Sequence, residues 1–200
     1  MHTKTYVLDP AEEYATGITR LGDIFYQLTN DNGILNALAL DTDEDGNAIL
    51  TLTTQYAIPR DNECNVPEGW GLTDDETYLY MSDRSNHIYR IDPGTLQEFD
   101  EDEFSIAYDA DQCPEDSHFS HIYSVFNSET GEEFQNIGEL ELVNNNMYAN
   151  IYDESLSSFL IIKIYTDPES EAMTVQRTYD FCLLHELLCE ELLRAEVSTT

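Results

Sequence analysis

The chain has 200 residues, of which 41% are hydrophobic and 11% aromatic, so it can fold around a sizeable core. Its 41 acidic and 8 basic residues give a formal net charge of -33, which excludes a polyanionic partner such as DNA because like charges would have to meet. No apolar run approaches the roughly 18 residues needed to cross a bilayer, and residues 1–6 lack the apolar core of a secretion signal. We therefore predict a soluble, acidic protein whose compartment the sequence leaves open.

Antiparallel hairpins of one design recur along the chain. A glycine-led strand, an Asp, Asn or Gly turn and a returning tyrosine-bearing strand occur at 17–29, 71–83 and 138–152. A second type, in which an apolar-alternating strand leads into an acidic turn, interleaves with it at 38–46, 88–94, 123–131 and 162–168. Two hairpins make a four-stranded sheet. Such sheets, repeated at roughly forty to fifty residues, indicate an all-β fold of the β-propeller type.

Two segments depart from this pattern. Residues 100–118 carry the densest acidic run and are expected to form an inserted, solvated loop. Residues 180–197 carry leucines at spacings of three and four, which predicts a C-terminal amphipathic helix. No Pro/Gly/Ser linker interrupts the strands, so residues 1–200 are predicted to form a single domain.

An acidic turn at 41–47 has the spacing of a calcium loop, in which carboxylates at alternate positions and a turn glycine surround one cation. Its ligands would be Asp41, Asp43 and Asp45. Leu52 stands where an EF-hand needs a bidentate glutamate, so an EF-hand is not expected. The alternative is an ordinary acidic hairpin turn.

Histidines and a cysteine offer a weaker zinc candidate. Cys113, His118 and His121 could supply three ligands, but their spacing fits no standard set and a fourth ligand is not evident. His185 is expected to be a surface or packing residue of the C-terminal helix rather than a catalytic base.

The string Pro-Glu-Gly-Trp-Gly-Leu-Thr-Asp-Asp at 67–75, followed by 81–96, resembles the central signature of the plant and bacterial glutaminyl-peptide cyclotransferases (glutamine cyclotransferases). Stretches 17–29 and 139–152 agree with it, so that the resemblance covers most of 14–188. It implies a five-bladed β-propeller that converts the N-terminal glutamine of peptides to pyroglutamate and releases ammonia. It implies no required cofactor or catalytic metal, and an extracytoplasmic home for many relatives.

The resemblance also implies where an acid/base group should stand. The family carries its catalytic carboxylate in a Phe-Gly-Glu-Gly stretch, which is matched here by residues 14–17, so that Thr16 takes the place of the glutamate. A threonine hydroxyl does not titrate near neutrality and cannot perform this task. Glu13 lies close by and is the candidate substitute, provided that a bulge shifts the strand.

The other pocket positions of the family are matched only in part. Trp70 matches a pocket tryptophan, with a core residue between blades as the alternative role, and Tyr14 would add a second wall. Asn30 and Tyr152 stand where the family has tryptophans. Gly138 replaces a substrate-binding asparagine, although Asn136 lies two residues away on the same strand face.

A lysine of the family's last blade and a glutamine-bearing first segment have no counterpart in this sequence. We therefore expect an incomplete propeller of about three to four blades, whose unpaired sheet edges would invite a partner chain. Two functions follow. One is a glutaminyl-peptide cyclotransferase acting on peptides with N-terminal glutamine; the alternative is a catalytically inactive propeller, either a pseudoenzyme or an incomplete gene product, that binds peptides or proteins.

Overall fold

The computed structural model describes residues 15–29, 33–61, 65–99, 119–153, 158–166 and 172–180, with the backbone alone described at 152–153, 158–159, 166 and 180. These residues form β-strands and one short 3₁₀ turn, at Pro93–Thr95. The strands are β1 (Ala15–Leu21), β2 (Ile24–Thr29), β3 (Ile34–Thr42), β4 (Ala48–Ala57), β5 (Leu72–Asp74), β6 (Leu79–Ser82), β7 (His87–Ile91), β8 (His121–Asn127), β9 (Ile137–Val143), β10 (Asn146–Asp153), β11 (Ser158–Thr166) and β12 (Ala172–Asp180). The predicted all-β class is confirmed. In the described part of the chain, no helix is long and apolar enough to cross a membrane.

The strands form three antiparallel meanders of four, as in the blades of a propeller. Strands β1 to β4 pair in chain order and make the first blade. Strands β5 to β8 make the second blade and β9 to β12 the third. The described residues thus contain three repeats of the predicted four-stranded sheet, and the propeller-like architecture is confirmed.

Turn residues explain where the hairpins reverse. Gly22 links β1 to β2 with φ +62°, a left-handed conformation that glycine adopts without steric cost. Asn144 and Asn145 link β9 to β10 with φ of 50° and 59°, as a two-residue hairpin loop of type I′ requires. Asp75 caps the turn before β6, because its carboxylate accepts hydrogen bonds from the backbone N of Thr77 and of Tyr78.

The core lies between the blades, and the second blade is buried on both faces. Leu79 and Met81 of β6 belong to the cluster shared with the first blade, whereas Tyr80 between them belongs to the cluster shared with the third blade. Since successive side chains of a strand point to opposite faces, one short strand contributes to both cores. Burying a leucine or methionine side chain fully contributes about 1.5–3 kcal/mol to folding.

The first strand of the second blade, β5, lies close to the first strands of its neighbours, β1 and β9, because a glycine stands at each approach: Gly17 within β1 and Gly71 directly before β5. A Cβ atom on Gly17 would lie 2.6 Å from the backbone N of Leu72. A Cβ atom on Gly71 would lie 2.5 Å from the backbone N of Leu140. Any larger residue at Gly17 or Gly71 would push two blades apart, so the repeated glycines set the spacing of the propeller.

The outer edges of two blades are joined. Strand β8 pairs in parallel with β12, from Ala172 opposite Ser124 to Val175 opposite Asn127, so that the second and third blades share one eight-stranded sheet. At the edge of the first blade, residues 97–99 bond to the backbone of residues 55 and 57 in β4. These outer edges are therefore paired, whereas the unpaired edges of an incomplete propeller and a partner chain that covers them stay predictions.

Two segments predicted from the sequence lie wholly or almost wholly outside the described residues. The acidic loop at 100–118 lies outside the described residues, as does the predicted helix except for Asp180, whose backbone ends β12.

Candidate functional site

The first strands of the three blades, β1, β5 and β9, are called the inner strands here, and all three begin at the same end of the blades. Bonds between β1 and the second blade join Thr16 to Gly69 and Thr19 to Asp74, so the residue numbers rise together on both sides. The same holds for the second and third blades, where Gly71 lies against Gly138 and Leu140, and the Thr73 hydroxyl accepts a hydrogen bond from Leu142 N. The inner strands therefore run parallel, and the segments that precede β5 and β9 meet the beginning of β1 in one surface region.

Thr16 bridges two blades within this region. Its side-chain oxygen Oγ1 donates a hydrogen bond to the carbonyl oxygen of Gly69, at 2.8 Å, and the side chain is half-buried. A hydroxyl that donates to a carbonyl holds backbone in place and carries no charge near neutrality. Thr16, which the resemblance matches to a catalytic glutamate, thus has a structural bond to the segment that leads into Trp70.

Trp70 is half-buried and belongs to neither of the two core clusters. Its backbone N donates to Ser82 O at 2.9 Å, which ties the residue to the end of β6. The indole Nε1 donates to Glu68 Oε2 at 3.4 Å, a long hydrogen bond. The guanidinium carbon of Arg84 lies 3.3 Å from the centroid of the indole ring, in a cation–π stack.

Arg84 is held by its backbone rather than by its side chain. Its backbone N donates to Ile137 O at 3.2 Å and its carbonyl accepts from Asn136 N at 3.1 Å. The neighbouring carboxylate of Asp83 is taken up by Ser85 and by the hydroxyl of Tyr89. Asn136 is therefore brought to the site, where it meets the backbone of Arg84, and its own φ is 61°.

Gly138 contributes backbone to the site. Its carbonyl accepts a hydrogen bond from the hydroxyl of Ser82, which in turn accepts from Gly71 N at 2.9 Å. A Cβ atom on Gly138 would collide with Oδ1 of Asn150, and that oxygen accepts a hydrogen bond from Glu139 N at 2.8 Å. The carboxamide of Asn150 thus fills the space that a side chain at position 138 would occupy.

One carboxylate near the site is electrostatically perturbed. Partial burial raises the pKa of Glu139 above its ordinary value, and the charge of Glu141, two residues along the same strand face, raises it further. The carboxyl of Glu139 consequently holds its proton to a higher pH than a free glutamate does.

Other residues predicted for the site are not all described. Glu13, Tyr14 and Asn30 lie outside the described residues, and their roles stay predictions. Tyr152 is described by backbone only, in β10 opposite Phe159 of β11.

Three side chains of the site were missed by sequence reasoning: Arg84, Glu68 and Asn150. Arg84 and Glu68 stand inside the string that carries the family resemblance, on either side of Trp70 in sequence. That proximity was the available signal. Arg84 has a left-handed backbone angle and lies over the indole, and neither feature can be predicted from the sequence.

The candidate metal ligands are not gathered into a metal site in the part of the chain that the structure describes, since it contains no group of three or more His, Cys, Asp or Glu side chains that could hold an ion. In the acidic turn, Asp43 Oδ1 accepts hydrogen bonds from the backbone N of Asp45 and of Asn47, as in an ordinary hairpin loop. Of the zinc candidates, Cys113 and His118 lie outside the described residues, whereas His121 lies in β8 with its ring 4.2 Å from that of Tyr123.

Comparisons with known proteins agree on one family. A sequence model of the family described as glutamine cyclotransferase matches residues 3–113, more than half of the chain. The chain is 28% identical over 88 residues to a glutaminyl-peptide cyclotransferase of Arabidopsis thaliana, an alignment that covers 44% of this chain and 20% of the relative. The crystal structure of Myxococcus xanthus glutaminyl cyclase matches the fold with a TM-score of 0.52 and 20% identity, covering 83% of this chain. The match spans about half, 53%, of that solved structure.

Proposed function

Because the chain belongs to the glutamine cyclotransferase family, we propose that it converts the N-terminal glutamine of peptides to pyroglutamate with release of ammonia. The observation that supports the proposal is that two of the predicted site positions are linked to neighbours of Trp70. Thr16 bonds to Gly69, and Asn136 bonds to the backbone of Arg84, whose guanidinium lies over the indole. Thr16 and Trp70 were selected from the sequence by their correspondence to the family's site, and Asn136 by its closeness to Gly138, the position matched to a substrate-binding asparagine. Their proximity supports a substrate pocket on this surface.

The reaction has simple requirements. The α-amine nitrogen attacks the γ-carboxamide carbon, the bond from that carbon to the amide nitrogen breaks, and a proton passes from the α-amine to the departing nitrogen, which leaves as ammonia. A carboxylate must carry that proton, and hydrogen-bond donors must hold the carboxamide oxygen as it gains charge. The indole of Trp70 would supply an apolar wall, and Glu68, bonded to Nε1 of that indole, is a candidate proton carrier beside Glu13.

A second candidate function is a peptide-binding module without catalysis. The observation that favours it is the bond from Thr16 to the Gly69 carbonyl, since this hydroxyl stands at the position matched to the family's acid/base glutamate and serves to join two blades. Such a protein would keep the aromatic wall and bind glutaminyl peptides without releasing ammonia.

Ammonia release from an N-terminal glutaminyl peptide, at high salt so that the acidic chain is folded, tests the first function. We expect turnover by the purified protein and its loss in Trp70→Ala, with heat-inactivated protein as the blank. Thr16→Glu should raise the rate by about 100-fold, the scale of general acid–base catalysis, because it supplies a titrating group. Thr16→Gln is the matched control, equal in shape but unable to titrate, and should give no gain.

The outcomes separate the two functions. No ammonia from either the parent chain or Thr16→Glu, together with quenching of Trp70 fluorescence by the peptide, would overturn the enzyme and support the binding module. No ammonia and no binding by a chain shown by circular dichroism to be folded would overturn both.

A further inference from the structure

Arg84 carries an exposed positive charge on the second blade, beside Trp70. Arg20 pairs with Asp23 at 3.3 Å, and the side chain of Arg90 donates to Ser120 and Tyr123. In the described part of the chain, the Arg84 guanidinium contacts only the indole of Trp70 and makes no hydrogen bond or ion pair. In a protein of net charge -33, this exposed guanidinium is a local positive charge at the candidate site.

The backbone at Arg84 is held in a costly conformation. Its φ is 66°, in the left-handed region, which is strained for a residue with a side chain and unstrained for glycine. The bonds to Ile137 and Asn136 fix this conformation from the third blade. Backbone strain that the surroundings enforce is concentrated at functional sites, where it places a side chain that relaxed geometry would not place.

The stack leaves the binding edge of the guanidinium open. The guanidinium carbon lies 3.3 Å from the centroid of the indole, and the N–H donors of the planar group make no hydrogen bond to a described residue. Two of these parallel donors match the two oxygens of a carboxylate. Stacking also limits the rotamers of the side chain, so that less conformational entropy is lost when a carboxylate binds.

We propose that Arg84 is a specificity-determining residue that binds a carboxylate of the peptide, so that the site selects peptides in which an acidic residue follows the N-terminal glutamine. The inference rests on the proposed function, because it assumes that a glutaminyl peptide lies against Trp70. The rest of the chain repels an acidic peptide, so preference for one requires a local cation, and Arg84 is the cation that lies on the indole.

Binding can be measured independently of turnover. Trp70 is the single tryptophan of the chain, so its fluorescence, read immediately on mixing, reports peptide bound at this site. The probes are two glutaminyl tripeptide amides that differ only in the second residue, Glu or Gln, which have nearly the same shape. At about 0.15 M salt we expect the Glu peptide to bind about fivefold more tightly, the upper range for a partly exposed ion pair.

Arg84→Gly is the decisive variant. Glycine adopts φ 66° without strain, so the loop should keep its fold while the guanidinium is lost. The preference should disappear or reverse, since only repulsion of the Glu peptide is left. Arg20→Ala is the matched control: it removes another exposed arginine that lies over an aromatic ring, 5.6 Å from the centroid of Phe25, and changes the net charge equally. The preference should survive in Arg20→Ala.

Three results would overturn the inference: equal affinity of the parent chain for the two peptides, a preference that persists in Arg84→Gly, or tighter binding of both peptides by Arg84→Gly, which would make Arg84 a lid on the indole. The proposed function fails separately. Absence of ammonia with the fivefold preference intact removes the enzyme and leaves the carboxylate site, whereas ammonia without the preference removes only the role of Arg84.

Discussion

Two buried tyrosines brace the loops of the second blade by donating to aspartates. The hydroxyl of Tyr89 donates to Asp83 at 2.8 Å and that of Tyr80 to Asp75 at 2.9 Å. Burial raises the pKa of both phenols well above the usual tyrosine value of 10.0, and the adjacent aspartate raises each further. The Tyr89 bond matters for the site because Asp83 directly precedes Arg84, and its carboxylate is kept away from the guanidinium.

Alkaline pH should reduce the free energy of unfolding that these buried phenols contribute. Since the folded-state pKa is raised, the stabilisation is present below the unfolded value of 10.0 and is lost as the pH rises above it, because the unfolded chain then loses the proton first. We expect Tyr89→Phe to lower the free energy of unfolding by about 1.5 kcal/mol at pH 8 and to reduce its decline between pH 10 and 11.

Urea unfolding at pH 8, 10 and 11 measures both effects. Tyr165→Phe is the control, since Tyr165 is half exposed, and it should behave as the parent chain does. A decline between pH 10 and 11 that is the same in Tyr89→Phe as in the parent would contradict the role given to the buried phenol.

At the scale of elements, the approach of the inner strands depends on glycine. An alanine Cβ at Gly71 would meet backbone atoms of Gly138 and Leu140 at 2.5 Å, and backbone cannot move aside as a side chain can. We expect Gly71→Ala to destabilise the protein by about 3 kcal/mol, by separating the second and third blades.

Gly69→Ala is the matched control two residues earlier. The three atoms nearest to its Cβ would all belong to the side chain of Leu28, at 3.1 to 3.3 Å and not to backbone, so a cost below about 1.5 kcal/mol is expected. Chemical denaturation measures the free energy of unfolding of both variants. Equal losses of stability would show that backbone contact between the inner strands is not the reason that glycine is required at position 71.

Local patterns predicted the strands because their causes are local. Gly22 and the Asn144–Asn145 pair reverse the chain wherever they stand, and alternation assigns each side chain to a face. The parallel pairing of β8 with β12 could not be predicted, since it joins residues far apart in sequence whose side chains carry no mark of it.

The residues of the candidate site also divide into those that the sequence predicted and those that it did not. Trp70 was found because its neighbours form a recognisable string, Thr16 followed from correspondence with the family, and Asn136 was noted as a neighbour of the corresponding position, Gly138. Arg84 and Asn150 were missed because their roles come from three-dimensional placement: one lies on an indole through its backbone angle, and the other fills a space left by a glycine.

For the whole molecule, the charge of -33 sets the conditions of folding. Repulsion among carboxylates opposes the compact state, and salt screens it, with a Debye length of about 30 Å at 0.01 M and about 3 Å at 1 M. We expect the melting temperature to rise by several degrees between these concentrations of NaCl, most steeply at the low end. For a chain of this size, about 1 kcal/mol corresponds to 2–4 °C.

Calorimetry across an NaCl series makes the measurement, with KCl at equal ionic strength as the control. The two salts should act alike, because screening depends on ionic strength and not on the identity of the cation. A melting temperature that is constant below 0.3 M, where the Debye length changes most, would contradict an electrostatic origin.

The parallel pairing of β8 with β12 forms only late in synthesis, because β12 follows β8 by more than forty residues. Ser128, directly after β8, donates to Val175 O at 2.8 Å across 47 residues, and the parallel pairing lies alongside. While the ribosome is still making the third blade, the outer edge of the second blade therefore has no strand to pair with. The nascent chain is open to association with other strands during that interval, and it closes only when residues 172–175 have emerged.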